Sequence, residues 1–202
     1  MTKVTEKPFA PSCERNKQVI FDVLKSIIKP EDKQILELGS GTGQHAIFMA
    51  PQLPALTWHT SELLENHEGI KQWLVESDAQ NIQPPLHYQA GITAFPNVDA
   101  DVVLTVNTLH IMSWDCVNAL ISDLGQHLKV GARVLIYGPF NYDGEFTSKS
   151  NAEFDIWLKN KDAFSGIRDI EAVCDLFQKE KIQLLKDVTM PANNRCLVFE
   201  KI

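Results

Sequence analysis

Residues 34 to 49 read QILELGSGTGQHAIFM: a short apolar run, glycines at three alternate positions (Gly39, Gly41, Gly43), and a second apolar run. A strand that breaks into a glycine turn and resumes as a helix commits this part of the chain to a βα unit. Glycine permits a positive φ and removes the Cβ that would keep a ligand away from the main chain. Strand, glycine turn and helix together form the usual cradle for a nucleotide-like ligand.

The rest of the chain repeats the alternation. Apolar residues recur with helical spacing over 14 to 28, and Pro30 stops them. Strand patterns are expected at 34–38, 55–61, 85–90, 100–107 and 133–140, with helical patterns at 44–50, 63–77 and from Trp114 to Leu128. The run ADVVLTVN (100–107) is nearly all β-branched or apolar, as a strand covered on both faces requires. Ser150 to Glu153 reads as a capping box that opens a helix carrying Phe154, Trp157 and Leu158. A further helix carries Ile170, Val173, Leu176 and Phe177. IQLLKDVTM and RCLVFEK flank the turn PANN (191–194) as a hairpin that adds an antiparallel edge. Strands alternating with helices imply a mostly parallel, doubly wound α/β sheet, expected here as one domain over 1–202. The longest polar loop, 139 to 150, follows a strand and so should lie at the carboxyl edge of the sheet, where such folds bind ligands.

Composition narrows the partners. The formal net charge is −7 and no basic cluster stands out, so neither a nucleic acid backbone nor an anionic membrane surface is the expected partner. No apolar run reaches the length that spans a bilayer. The N-terminus MTKVTEKPFAPS has neither a signal peptide's apolar core nor a transit peptide's arginines, so a cytoplasmic protein is expected. Cys13, Cys116, Cys174 and Cys196 are scattered, and no ligand spacing marks a metal site.

Two ligands compete for the glycine loop. Gly41-Thr42-Gly43-Gln44-His45-Ala46 fits the dinucleotide pattern G-x-G-x-x-[GA]. Glu37 opposes that reading, because a carboxylate two residues before the glycines repels a pyrophosphate. It suits S-adenosylmethionine, which carries an ammonium, a sulfonium and no phosphate. Glu62, about 20 residues beyond the loop, has the offset of an acid gripping ribose hydroxyls, a role that serves either nucleoside.

These residues resemble a class I S-adenosylmethionine-dependent methyltransferase. The blocks ERNKQVI, LELGSGTGQHA, IYGPFNYDGEF, SNAEFD, GIRDIE and MPANNRCLVFEK together are similar to the methyltransferase-like protein 26 family, a domain of unknown function (domain 938). The resemblance runs from residue 14 to the C-terminus. It implies a Rossmann-like sheet of seven strands and S-adenosyl-L-methionine as cofactor. It also implies cofactor contacts from Glu37, Gly39, Ser40, Gly41, Gly43 and Glu62. The stretch YQAGIT departs from relatives that hold adenine with an acid near the end of the third strand, and backbone groups at Gly91 and Ile92 are the expected substitute.

Asn107 and His110 follow the fourth strand, on the edge facing the transferred methyl group. Asn107 is a cofactor candidate or a turn residue; His110 and Tyr142 are candidates for a general base. Arg15 and Asn16, expected at the opening of the first helix, either close over the cofactor's carboxylate or cap the helix. Asn151 and Asp155 either line an acceptor pocket or serve turns and caps, and Asn193 and Asn194 either reach the site or form the hairpin turn. His45 reads as packing. The expected activity is methylation of a small-molecule acceptor, with oligomeric state open. A nicotinamide-dependent oxidoreductase and a non-catalytic S-adenosylmethionine-binding module are the alternatives.

Overall fold

A computed structural model describes residues 7–202; the part of the leader reading that concerns residues 1 to 6 lies outside the described residues. Seven strands form one sheet: β1 (Gln34–Leu38), β2 (Thr57–Glu62), β3 (Ile82–His87), β4 (Val102–Val106), β5 (Arg133–Gly138), β8 (Ile182–Met190) and β9 (Asn194–Lys201). Their order is β3-β2-β1-β4-β5-β9-β8. The first five run parallel, and β9 is antiparallel to both β5 and β8. The antiparallel strand is thus interior, and β8 forms the edge. Two-residue strands β6 (Phe140–Asn141) and β7 (Arg168–Asp169) pair separately. Strand order reverses between β1 and β4, the switch point where an open α/β sheet leaves a crevice at its carboxyl edge.

The helices are α1 (Pro11–Lys25), α2 (Gln44–Met49), α3 (His67–Val75), α4 (Trp114–His127), α5 (Lys149–Lys161) and α6 (Ile170–Lys179). Successive side chains of a strand point to opposite faces, so β1 feeds two cores. Ile35 joins Trp58, Leu104 and Val198 under Ile20, Phe21 and Leu24 of α1 and Met49 of α2. Leu36 and Leu38 join Val103, Val134 and Phe199 under Val117, Leu120 and Leu124 of α4 and Phe177 of α6. Glu37 shares the face of Ile35, and so points toward α1 and α2.

Three expectations shift. The first helix starts at Pro11, a residue preorganised for a first turn, which leaves Arg15 and Asn16 in its second turn. The cap of α5 is Ser148, whose Oγ accepts from Asn151 N–H at 3.1 Å. Ser150 lies inside the helix instead, where its Oγ accepts from Asn193 Nδ2 at 3.2 Å. The third strand begins and ends three residues earlier than expected. It lies at the edge of the sheet, where Pro84 and Pro85 need not donate to a neighbour.

Candidate functional site

The glycine loop leaves β1 at the switch point, and its three glycines answer three different demands. A Cβ on Gly39 would come 2.8 Å from Thr108 Oγ1, and one on Gly43 would come 3.2 Å from Ile70 Cγ2. Both are glycine for packing. At Gly41, with φ +56°, a Cβ would meet no atom within 4 Å. The space that Gly41 keeps clear belongs to no part of the described chain, as a ligand cradle requires.

Two clefts flank the loop and share Gly39, Gly41, Asn66, Val106 and Asn107. One, of about 690 Å³, lies between the start of α1 and α3, with Ser12, Cys13, Ser40 and His45 in its wall. The other, of about 580 Å³, passes Glu62 and Leu63 and reaches Tyr88, Gln89 and Ala90 beyond β3, and Ile111, Met112 and Asp162 after β4.

Glu62 ends β2 one strand away from the loop. Its Oε2 accepts from Gly41 N–H at 2.8 Å and its Oε1 from Leu63 N–H at 2.8 Å. The carboxylate is therefore oriented from both sides at the mouth of the second cleft. Ser40 Oγ accepts from Ser61 N–H at 3.2 Å and its N–H donates to Ser61 O at 2.9 Å, which ties the loop to β2.

Glu37 is buried behind this wall. Trp58 Nε1 donates to its Oε2 at 3.1 Å. Burial lifts its carboxyl to about 7, against the bonds from Trp58 and Ser40, and Glu62 adds a smaller upward push. Glu37 in turn helps burial push the nearby Cys13 thiol up to about 11. A buried acid at the edge of ionisation answers strongly to any positive charge placed nearby.

Asn107 terminates β4 in the left-handed region, φ +58°, and its N–H donates to Tyr137 O at 2.8 Å. A non-glycine residue held there is a local strain of the kind that gathers at functional sites. His110 lies beside Gly138 and meets Phe154 edge-on with ring centroids 5.4 Å apart. Burial, assisted by the Arg168 guanidinium, lowers its imidazole to about 4, so it is neutral at ordinary pH.

Several expected site residues lie elsewhere. Arg15 is exposed and lines neither cleft. Asn16 is buried, with its Oδ1 2.9 Å from His45 Nε2; Ser12 and Cys13, one turn earlier, take the position on the cleft. Gly91 and Ile92 lie past the second cleft, and Ile92 is 70 % exposed. With β3 ending at His87, the lining residues are Gln89 and Ala90, which sequence reasoning passed over. A register that counted from the proline pair would have found them. Tyr142 donates its hydroxyl to Asp187 Oδ2 at 2.7 Å and stacks under Arg195. Burial and that bond raise its pKa, and it lines neither cleft. Asn151 bonds Thr147 Oγ1 and Asn193 O, at 2.9 and 3.1 Å. Asp155 accepts from Ile167 N–H at 2.8 Å and pairs with Lys159. Both serve structure.

The fold is shared with solved S-adenosylmethionine-dependent methyltransferases. Human N-acetylserotonin methyltransferase, solved in complex with that cofactor, superposes with a TM-score of 0.78 at 14 % identity, over 94 % of this chain and 52 % of that one. The mitomycin 7-O-methyltransferase MmcR superposes with a TM-score of 0.77 at 16 % identity, over 93 % and 54 %. The O-methyltransferase aoiF of Aspergillus oryzae is 27 % identical over 174 residues, which are 81 % of this chain and 41 % of aoiF. The chain spans about half the length of these relatives. It belongs to the family described as Protein of unknown function (DUF938), whose model matches residues 7–201.

Proposed function

We propose that this chain uses S-adenosylmethionine to methylate an oxygen of a small organic acceptor. The observation that carries the proposal is the surroundings of the open Gly41 main chain. One carboxylate, Glu62, lies beside it and a second, Glu37, lies behind it. Among the described residues, no lysine or arginine lines either cleft. A pyrophosphate would rest against two acids with no cation to offset it, which counts against a nicotinamide cofactor. A cationic nucleoside without phosphate meets opposite charge.

The residues fit that ligand. Glu62 presents two fixed oxygens to a ribose diol, the bare main chain of Gly41 admits close approach, and Glu37 offsets positive charge from behind the loop. When bound, the sulfonium supplies an already activated methyl group. The chain's own work is to hold, orient and exclude water, and alignment of this kind contributes several kcal/mol. Asn107, on both clefts, positions the reacting end. The far end of the second cleft is apolar at Ile111 and Met112, with Asp162 as its one acid. That surface suits a small, largely apolar acceptor. His110 is neutral and follows Asn107 by three residues; it lines neither cleft itself, and it is the remaining candidate to take a proton from an acceptor hydroxyl. The naming of aoiF as an O-methyltransferase supports oxygen as the acceptor atom.

Titration calorimetry with S-adenosylhomocysteine and with NADH tests the cofactor: the first binds and the second does not. Tight NADH binding with no response to the homocysteine nucleoside overturns the proposal. Turnover of labelled S-adenosylmethionine against a metabolite extract then identifies the acceptor, and binding without transfer across a broad extract favours a non-catalytic module. His110→Gln is expected to lower kcat by about 100-fold while leaving S-adenosylhomocysteine affinity unchanged. An unaltered kcat removes His110 from the chemistry.

A further inference from the structure

We propose that Trp58 is a positioning residue for the cofactor: its indole N–H holds the Glu37 carboxylate in the ionised form that a cationic ligand requires. The inference rests on the cofactor reading above and concerns the wall behind the glycine loop.

β1 and β2 pair with Ile35 opposite Trp58 and Glu37 opposite Thr60. Residues opposite one another share a face of the sheet, and so do residues two apart on a strand. Trp58 therefore lies diagonally across from Glu37, on the face toward α1 and α2. It is fully buried, in the core that Ile35 and Leu104 share. An apolar ring would fill that place. What the indole adds is a group that donates and does not accept, and it is directed at Glu37 Oε2 over 3.1 Å.

The indole is the main support for a negative charge at this point. Burial opposes the ionisation of Glu37; two bonds act the other way, from Trp58 first and from Ser40 second. The ionisable neighbours give no help. Glu62, at the end of β2, opposes a second negative charge. Cys13, on α1, keeps its proton, with its thiol pushed up to about 11. His45 is the one ionisable side chain of α2, and burial lowers its imidazole to about 4, so it carries no charge. β4, the other neighbour of β1, has no ionisable side chain. Among the described residues, no lysine or arginine acts on Glu37.

A ligand's positive charge is thus met by a carboxylate whose ionisation depends chiefly on one neutral donor. A hydrogen bond to the charged form favours that form. Removing the donor raises the pH at which Glu37 ionises. It alters no wall of either cleft, because Trp58 lines neither.

The test is calorimetric titration of the full chain with S-adenosylmethionine from about pH 5.5 to about pH 8.5, the range that brackets Glu37. Two replacements are compared: Trp58→Phe, and benzothienylalanine at the same position, which keeps the outline of indole and carries sulfur in place of N–H. The isostere leaves the core filled, so it reads the lost donor even where Phe loosens the fold. In the parent, affinity rises with pH through about 7. Both replacements should move that midpoint up by about one pH unit, which weakens binding about fivefold at pH 7 and by less than about twofold at pH 8.5. On a Glu37→Gln background the same replacements should change affinity by less than about twofold at every pH, because the indole acts through the carboxylate. An absent or unmoved midpoint, a loss of equal size at every pH, or the same loss without the Glu37 carboxylate overturns the role of Trp58 and leaves the cofactor reading standing. If the parent does not bind S-adenosylmethionine, both fall together.

Discussion

At the scale of the residue, the proposed cofactor site rests on one glycine and two acids. Gly41→Ala sets a methyl group into space that no part of the described chain occupies, at a φ that costs an L-residue about 1–2 kcal/mol. The variant is expected to fold and to bind S-adenosylhomocysteine at least tenfold more weakly; normal binding would mean the ligand never approaches this main chain. Glu37 makes a prediction with a sign. Its folded pKa, about 7, stands above its ordinary value of 4.5. As pH rises from about 4.5 to 7 the unfolded chain releases this proton while the folded chain keeps it, so folding stability falls across that window by on the order of 3 kcal/mol. Glu37→Gln should remove the decline, melting above the parent at pH 8 and level with it near pH 4.5. A bound cation favours the ionised form, so affinity for S-adenosylmethionine should rise with pH through about 7, with net proton release on binding. Calorimetry near pH 6.5 in buffers of differing ionisation enthalpy measures that release. Zero release would place the ligand's positive charge away from Glu37.

At the scale of the element, the segment before α1 crosses the first cleft and is pinned to α3. Trp73 Nε1 donates to Pro8 O at 2.7 Å, Phe9 packs on Trp73 with ring centroids 6.4 Å apart, and Ala10 N–H donates to Gln44 Oε1 at 2.6 Å. A Cβ on Gly69 would come 2.5 Å from Pro8 Cγ. Gly69→Val should lift this segment and speed release of S-adenosylhomocysteine at least about fivefold in stopped-flow, with the sheet intact by circular dichroism; an unchanged off-rate would mean the segment does not retain the ligand. Elements also mark where sequence reasoning reached and where it stopped. β1, β4 and β5 were legible because their apolar runs are buried on both faces. Glu62 was legible because an offset along the chain fixes it. Gln89 was not: its place depends on where an edge strand with two prolines ends. Asn16 was not either, because Pro11 starts the helix a turn before the apolar stripe begins. Which of the three glycines faces the ligand depends on Thr108 and Ile70, partners distant in sequence.

At the scale of the whole molecule, the two edges of the sheet divide the work. The carboxyl edge carries the clefts; the opposite edge carries a buried ion pair between Asp32 and Arg133, in which Asp32 also accepts from Lys29 N–H at 2.6 Å. Asp32→Ala strands the guanidinium in the interior and should cost about 3–5 kcal/mol of stability in denaturant titration, without changing ligand affinity under folding conditions. A loss below about 1 kcal/mol would show that water reaches Arg133. The crevice, by contrast, is formed by strand order alone, and the proposed function has its ligand selected by what surrounds Gly41. A crystal structure with S-adenosylhomocysteine tests that selection most directly. The expected density places the ribose hydroxyls on the Glu62 carboxylate and the nucleoside against the Gly41 main chain. Density on another face of the sheet, or a ligand bound with neither Glu62 nor Gly41 in contact, contradicts it.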